Sequence, residues 1–414
     1  MNIEELFTGV GMVIDDKIFD EKKSDRISRI VDALEEKNIP LLKYVDIPDK
    51  NVIKHCLNLN FILLDWELVA LTDESGYPVS GMDLLKEKNK NRIISFIKEV
   101  IKQSFIPIFI FSNLNENDIN KILESQRIIK SENNRPIFVK SKSELISGDK
   151  SLIFEKIEEW VNNMSSVYVL KKWDNSFNKA KSDLFRTFTD SAPHWPRVLM
   201  ETAELDSANH SDEIAEVLSQ NILSRMQPVT FEKEQIYKDT KSYSREETLL
   251  MLKHQRFTEN IDKNSSYTGD FYDKKGKCFI NIRPACDCFG RDGENKIYLI
   301  RCEAFKPDSE YNKTYGSLIE RNNEALVGPL YKNKFYRFYF KDIIIENYDE
   351  YKEYKRGRIL MPFITHITER YGAYIQRQAL PRLPEKIIFE KVKTLKIEEY
   401  ITEIEEAIEK PKKK

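Results

Sequence analysis

The feature that most constrains the fold is a series of short apolar segments between positions 1 and 163, each of which ends in a polar side chain. The clearest are GMVIDD (11–16), FILLD (61–65), FIPIFIFS (105–112) and RPIFVK (135–140), and a weaker candidate runs from Pro40 to Val45. Segments this short, rich in β-branched and aromatic residues, are typical of strands buried on both faces of a parallel sheet.

Amphipathic helical patterns separate these strand candidates. Ile27, Ile30, Val31 and Leu34 have the i, i+3, i+4, i+7 spacing of one helix face. Further helix candidates lie near 50–57, at 93–101, after a cap at Asn115 or Asn117, and at 153–161. Five strands that alternate with five helices predict an open, doubly wound α/β domain over residues 1–163, with right-handed crossovers.

Polar residues far apart in sequence follow the predicted strands, namely Asp15, Asp16, Asp65, Ser112 and Lys140. In a doubly wound sheet, ligands bind in the crevice at the carboxyl ends of the strands, so these side chains are predicted to share one site. Taken singly, each also fits a simpler interpretation, as a turn, a helix N-cap or a solvated surface lysine.

A cluster of three carboxylates has a definite chemical requirement. Two such charges 4 Å apart repel by about 4 kcal/mol at an effective dielectric of about 20. A divalent cation removes this repulsion, and Mg²⁺ suits the role because it binds one or two carboxylates together with substrate oxygens and waters. The cluster therefore favours metal-assisted chemistry on an anionic group.

The order of an aspartate pair, a single aspartate, a serine and a lysine at successive strand ends resembles the receiver domain of two-component response regulators, over about residues 5–163. The resemblance implies a flavodoxin-like fold in which a histidine kinase transfers a phosphoryl group to Asp65. It also implies the supporting roles: Mg²⁺ ligands Asp15, Asp16, Asp65 and the backbone carbonyl of Glu67, and phosphoryl contacts Ser112 and Lys140.

The sequence departs from the receiver pattern in three places. Ser141 follows Lys140, where proline is common in the family, and Ile137 stands three residues before the lysine, where an aromatic residue often acts as a switch. The chain between Asp65 and Ser112 is also longer than usual, with the extra length in 70–90. The phosphorylation residues are all present, but the usual aromatic switch is not expected.

The chain beyond position 163 matches no familiar output module. Helical patterns at 169–188 and 211–226 predict a helical region over 164–264. Strand-like segments after Tyr267, and helix candidates at 359–378 and 395–409, predict an α+β domain over 265–414 that contains a small antiparallel sheet or an SH3-like barrel.

Four of the five cysteines, Cys278, Cys286, Cys288 and Cys302, lie close together in this last domain. Their spacing fits no common zinc pattern, and strands readily bury cysteines as small apolar residues. We therefore predict reduced cysteines and no stoichiometric zinc.

Charge and hydropathy exclude some classes of protein. Sixty-six basic and 68 acidic side chains give a net charge of −2, so the basic bias of a dedicated nucleic-acid-binding protein is absent. The longest apolar run, 105–111, is far shorter than the roughly 18 residues that span a bilayer. The sequence predicts a cytoplasmic protein that is not a membrane protein.

The predicted α+β domain contains a PACD stretch at 284–287. Together with the receiver pattern, this stretch makes the whole chain resemble the receiver protein without an effector enzyme in bacterial anti-phage two-component systems of the Detocs type. That resemblance implies a phosphate buffer that accepts phosphoryl groups and restrains a sister receiver-effector protein. The alternative is an adaptor whose C-terminal domain binds protein or nucleic acid after phosphorylation. We expect no enzyme activity beyond phosphoryl acceptance and self-dephosphorylation, although an unrecognised C-terminal enzyme stays open.

Overall fold

A computed structural model describes ten stretches of the chain, which divide into two compact units, Met1–Tyr243 and Ser244–Lys414. The described residues are 8–19, 26–55, 58–68, 82–129, 135–142, 151–205, 210–238, 242–288, 295–307 and 323–377. The boundary near 243 places the helices after residue 163 in the same unit as the predicted α/β domain. The finer division at 163 and 264 stays a prediction.

The first unit contains a five-stranded parallel sheet of order β2-β1-β3-β4-β5. This is the flavodoxin-like doubly wound order, as predicted. The strands are β1 Gly11–Ile14, β2 Leu41–Tyr44, β3 Phe61–Asp65, β4 Ile108–Ser112 and β5 Ile137–Ser141. The accompanying helices are α1 Arg26–Glu36, α2 Lys50–Ile53, α3 Met82–Gln103, α4 Glu116–Ser125 and α5 Ser151–Asn162. Of the two predicted caps of α4, Asn115 is the one whose side chain accepts from a backbone amide, that of Asn117.

The central strands are apolar throughout because both faces of the sheet are covered. Successive side chains point to opposite faces of a strand, so Phe61 and Leu63 join one core with α1 and α5. Ile62 and Leu64 join the other core with α2, α3 and α4. The two layers of helices leave the carboxyl ends of β1 and β3 as the open edge at which a site can form.

Beyond residue 163, the described residues of the first unit contain α6 Ser165–Ser191, α7 Trp195–Leu205, α8 His210–Met226 and α9 Lys233–Tyr237. The start of α6 belongs to the α1/α5 core through Val167 and Tyr168. Buried Lys171 donates from Nζ to both the backbone and side-chain oxygens of Asn60, the residue before β3. The first turns of α6 are therefore anchored at the amino end of the central strand.

The second unit contains a seven-stranded antiparallel sheet of order β10-β11-β9-β8-β7-β12-β6, larger than the small sheet predicted. Its strands are β6 Phe257–Thr258, β7 Asp270–Lys274, β8 Lys277–Asn281, β9 Lys296–Phe305, β10 Glu324–Val327, β11 Phe335–Asn347 and β12 Lys355–Ile359. Its helices are α10 Arg245–Arg256, α11 Ala285–Cys288 and α12 Phe363–Gln376.

The predicted helix at 359–378 begins later than expected, at Phe363. Ile359 is the last residue of β12 and pairs with Phe257, so strand pairing takes precedence over the local helical pattern. The helix candidate at 395–409 lies outside the described residues. Within the described part of the chain, every helix is too short or too polar to cross a membrane.

Candidate functional site

The candidate site lies where β1 and β3 end side by side. Ile14 pairs with Leu64, so Asp15 and Asp65 occupy neighbouring positions at the carboxyl edge of the sheet. The connection after β1 leads to β2, and the connection after β3 leads in the opposite direction to β4. The switch point between β1 and β3 is where doubly wound folds bind ligands. The fold therefore brings together two carboxylates from separate βα units of the sequence.

Three carboxylates converge at this edge. Oxygens of Asp15, Asp16 and Asp65 all lie within 4.8 Å of one another. Asp15 and Asp65 are 1% and 6% exposed, whereas Asp16 is half-buried. Backbone amides orient two of them: the amide of Lys17 donates to Asp15 Oδ1 at 2.9 Å, and the amide of Glu67 donates to Asp65 Oδ1 at 3.1 Å.

Lys142 supplies the cation of the cluster. Its Nζ lies 2.7 Å from Asp65 Oδ2 and 3.1 Å from Asp15 Oδ2, and the lysine is only 5% exposed. The Lys142 ammonium binds two of the three carboxyl groups, and exposed Lys17 acts on Asp16, so the carboxylates still outnumber the lysines when all three are ionised. A buried site with this imbalance favours binding of a further cation or a proton.

The pKa values follow from this imbalance. Burial, and then repulsion from Asp15, raise the pKa of Asp65 to about 7 although Lys142 acts in the opposite direction. Burial and Asp15 also raise the pKa of Asp16. Burial disfavours the ammonium of Lys142, but attraction to Asp65 and Asp15 outweighs it and the pKa of Lys142 is raised. The carboxyl group of Asp65 therefore titrates near neutral pH.

Ser112 occupies the carboxyl end of the adjacent strand. Asp65 pairs with Phe111, so the serine lies one position beyond the end of the β3 ladder. It is fully buried, and its Oγ accepts a hydrogen bond from the amide of Leu114 at 3.0 Å. A hydroxyl that accepts one bond still has its own proton to donate.

Lys140 binds Glu116 rather than Asp65, and its predicted contact with phosphoryl oxygens stays a prediction. Its Nζ lies 3.0 Å and 3.1 Å from the two carboxylate oxygens of Glu116, the first residue of α4. The same carboxylate accepts from the amide of Ser141 at 3.2 Å. Glu116 thus binds the end of β5 to α4, and the next lysine along the chain, Lys142, reaches the site.

The donor set suits Mg²⁺. Carboxylates and a backbone carbonyl such as that of Glu67 are hard oxygen ligands, and ligands on opposite sides of an octahedral Mg²⁺ are about 4 Å apart. The present separations of up to 4.8 Å need only small side-chain adjustments to reach this value. Asp15, Asp16 and Asp65 are the residues that would hold the ion.

The cysteines form no comparable cluster in the described structure. Cys278 and Cys302 stand opposite each other on β8 and β9, and burial raises the pKa of both thiols. Cys288 lies elsewhere, against Asn281 and the carbonyl of Arg283. Among described residues, the aspartate triad is the one group of three or more potential metal ligands.

A second buried ionic group lies in the antiparallel sheet. Asp270 is fully buried and accepts from Lys355 Nζ, Arg358 Nε and the amide of Tyr267, each at 2.7 Å. Lys355 Nζ also donates to the carbonyls of Asp262 and Ser265 at 2.8 Å and 2.7 Å. All three ammonium protons are thus used within the protein, which is typical of a structural ion pair.

Comparison with protein-family models, with curated proteins and with solved structures gave no match. The function of the chain is therefore inferred from the geometry of the aspartate site and the chemistry of its residues.

Proposed function

We propose that this chain is a two-component receiver protein that accepts a phosphoryl group on Asp65 from a histidine kinase in the cytoplasm. The observation that supports the proposal best is the position of Asp65: buried at the end of the central strand, within 4.8 Å of two other carboxylates, with a lysine ammonium at 2.7 Å. This combination stabilises an anionic group that is transferred to a carboxylate.

In the proposed transfer, an oxygen of Asp65 attacks the phosphorus of a phosphohistidine. The new P–O bond forms as the P–N bond breaks, and the imidazole leaves with the bonding electrons. A Mg²⁺ ion held by the three aspartates would neutralise the attacking carboxylate and the phosphoryl oxygens. The protein's own contribution is to hold these groups in line, with little water around them.

Lys142 and Ser112 are assigned to the phosphoryl oxygens. Lys142 already binds the carboxylate that becomes phosphorylated, so its ammonium remains next to the new dianionic group. Ser112 has a hydroxyl proton to donate from the neighbouring strand end. Lys140 has no such role in this proposal, because its ammonium is bound by Glu116.

The two lysines provide a matched test. Purified protein is incubated with a phosphorylated kinase, or with a small-molecule phosphoryl donor and Mg²⁺, and the acyl phosphate is quantified. We expect no labelling of Asp65→Ala, a loss of about tenfold or more in rate for Lys142→Met, and a near wild-type rate for Lys140→Met. Undiminished labelling of Asp65→Ala would refute the acceptor, and a reversed order of the lysine variants would refute the role of Lys142.

For the wider role, we propose a phosphate buffer in bacterial anti-phage signalling, in which the protein competes with a sister receiver-effector protein for phosphoryl groups. A buffer needs only acceptance and turnover of the phosphoryl group, and the proposal assigns both to the aspartate site. Adding the protein to a kinase and a second receiver should slow phosphorylation of that receiver. The Asp65→Asn variant is the control and should have no effect.

The adaptor remains the second candidate because α6 is anchored in the core of the parallel sheet through Val167, Tyr168 and Lys171. This packing gives a phosphorylation-dependent shift a physical route to the helices after residue 163. The adaptor requires a ligand that binds the phosphorylated form more tightly than the unphosphorylated form, which a pull-down with both forms would detect.

A further inference from the structure

Two lysines stand at the end of β5, and each binds a different acidic partner. Lys140 Nζ lies 3.0 Å and 3.1 Å from the two carboxylate oxygens of Glu116. Lys142 Nζ instead lies 2.7 Å from Asp65 Oδ2 and 3.1 Å from Asp15 Oδ2. A buried site with an excess of carboxylates attracts any ammonium within reach. The division of the two lysines between two partners therefore needs a physical cause.

The pairing of the sheet puts Lys140 within reach of Asp65. Both residues pair with Phe111 of β4, so they stand at the same level of the sheet, two strands apart. Leu63 and Phe138, two positions before them, belong to the α1/α5 core, so both positions face that side of the sheet. Two strand spacings put their Cα atoms about 10 Å apart. An extended lysine reaches about 6 Å from its Cα and an aspartate oxygen about 3 Å, which is sufficient for an ion pair.

Glu116 binds both the side chain of Lys140 and the backbone beside it. Its carboxylate accepts from the amide of Ser141 at 3.2 Å in addition to the two contacts with the ammonium. The side chains of Lys140 and Glu116 are only 22% and 26% exposed, so solvent and salt screen this ion pair less than one on the surface. The pair therefore competes with the aspartate site for the Lys140 ammonium.

The turn that leads from β4 to Glu116 is fixed by hydrogen bonds. Ser112 Oγ accepts from the amide of Leu114 at 3.0 Å, and the side chain of Asn115 accepts from the amide of Asn117 at 2.8 Å. Glu116 follows as the first residue of α4, where the positive end of the helix dipole attracts a carboxylate. The carboxylate is therefore held at a defined place beside β5.

We propose that Glu116 is a positioning residue that retains Lys140 beside α4, so that Lys142 and not Lys140 contacts Asp65. The inference rests on the proposed acceptance of a phosphoryl group by Asp65, because it decides which lysine meets the charge of that group. Removal of the Glu116 charge releases the Lys140 ammonium toward Asp65. A role of Glu116 in stability alone predicts no such replacement of one lysine by the other.

The first test compares rates of phosphoryl transfer to the full-length protein. The Lys142→Met variant is expected to be labelled about tenfold or more slowly than the wild type. Addition of Glu116→Gln should make this variant at least about threefold faster, because Lys140 then takes the place of Lys142. Glutamine keeps an oxygen that can accept from the Ser141 amide, so the substitution changes mainly the charge. Addition of Lys140→Met should abolish the gain.

The matched control is Asp118→Asn. Asp118 is the other acidic residue in the first turn of α4, but it is exposed and lies 3.7 Å from Lys121 of the same helix. Its substitution removes the same charge from the same turn and should leave the rate of Lys142→Met unchanged. Circular dichroism checks that the variants are folded. No gain from Glu116→Gln, an equal gain from Asp118→Asn, or a gain that survives Lys140→Met would overturn the proposal.

A second test does not depend on phosphoryl transfer. Nitrogen-15 NMR of the lysine ammonium groups, assigned with the methionine variants, reports which carboxylate each lysine meets. Asp65→Asn should shift the Lys142 signal and leave the Lys140 signal in place, whereas in Glu116→Gln/Lys142→Met it should shift the Lys140 signal. An unshifted Lys140 signal there would overturn the positioning role even if Asp65 is phosphorylated. A shifted signal in a protein whose Asp65 is never labelled would support that role and refute only the proposed function.

Discussion

Each unit of the chain contains a buried lysine bound to a buried aspartate, and the two groups differ in their balance of charge. Around Asp65, three carboxyl groups cluster, and two of them, Asp15 and Asp65, bind the ammonium of Lys142. Around Asp270, one carboxylate faces two cations, Lys355 and Arg358. Burial raises the pKa of both aspartates, but only Asp65 is raised further by a neighbouring carboxylate, Asp15.

This difference separates a structural ion pair from a reactive site. Every proton of the Lys355 ammonium is bound by an oxygen of the protein, so the group joins the loop at 262–265 to the sheet. The three carboxylates of the Asp65 cluster outnumber the lysines that act on them, Lys142 and Lys17, so the cluster keeps negative charge. Burial of an ionic group alone is therefore weak evidence for function, and the uncompensated charge is the informative property.

The largest expected effect of breaking either group is on the stability of the second unit. Asp270→Ala leaves the Lys355 ammonium buried without its carboxylate, so we expect the free energy of unfolding of the 244–414 unit to fall by about 3–5 kcal/mol. At about pH 4, where Asp65 is protonated in the folded state, Asp65→Asn should change the stability of the first unit by less than about 1 kcal/mol, because Lys142 keeps Asp15.

The two units can be followed separately in one denaturation experiment. All four tryptophans, Trp66, Trp160, Trp173 and Trp195, belong to the first unit, so their fluorescence reports that unit while far-ultraviolet circular dichroism reports both. A similar loss of stability in the two variants would show that the two aspartate groups are equivalent.

The next expected effect is on how the free energy of unfolding depends on pH. The folded-state pKa of Asp65 is about 7, above an unfolded value near 3.9. The folded state therefore holds an extra proton, whose stabilising contribution is complete below about pH 4 and is lost as the pH rises to about 7. The loss is at most about 1.4 kcal/mol per pH unit.

Other carboxyl groups titrate in the same range, so the measured quantity is the difference in unfolding free energy between Asp65→Asn and the wild type. The asparagine mimics the protonated acid. We expect the variant to gain relative stability between pH 4 and pH 7 and no more above pH 7. A difference that does not change with pH would contradict the raised pKa.

A smaller effect on stability is expected from Asp16→Asn. Removing one carboxylate relieves repulsion, so the variant should be as stable as the wild type or slightly more stable without metal, by up to about 1 kcal/mol. It should also lose Mg²⁺ binding, measured by calorimetry or by the metal-dependent rise in melting temperature. A variant that binds Mg²⁺ like the wild type would show that Asp16 is only a turn residue.

The sequence predicts the position of the aspartates better than it predicts the ionic contacts of the lysines, because those contacts join residues that lie far apart in the chain. Asp15 and Asp65 follow apolar strands, and the alternation of strands and helices is sufficient to place both at one edge of a sheet. The register at the end of β5 is not determined by hydropathy, because Lys140, Ser141 and Lys142 are all polar. The sequence therefore does not show that Lys140 binds Glu116, a residue of another element, or that Lys142 binds Asp65.

The Asp270 group illustrates the same limit in the second unit. Its partners Lys355 and Arg358 lie much further along the chain, in a segment that lacks a distinctive pattern. Only the pairing of β7 with β12 brings these side chains together. Long-range ionic contacts of this kind need the tertiary structure.

The smallest expected effect is the change in hydrogen-exchange protection of α6 when Asp65 is phosphorylated. A phosphoryl group adds about −1.5 to −2 charges, and these charges act at the carboxyl end of β3. Lys171 holds α6 at the other end of that strand, through Asn60, about 17 Å away over five residues. The position three residues before the site lysine Lys142 is Val139, and three before Lys140 it is Ile137, so neither places an aromatic switch on β5.

Hydrogen exchange is measured with and without a phosphoryl mimic, and Asp65→Asn serves as the control. We expect changed protection in the segments that follow β1, β3, β4 and β5, and unchanged protection across 165–230. This outcome agrees with the buffer, which requires no signal beyond the site. Altered exchange in the first turns of α6 would instead favour the adaptor, because Val167 and Tyr168 share a core with the sheet and offer the shortest route from Asp65 to the helices beyond.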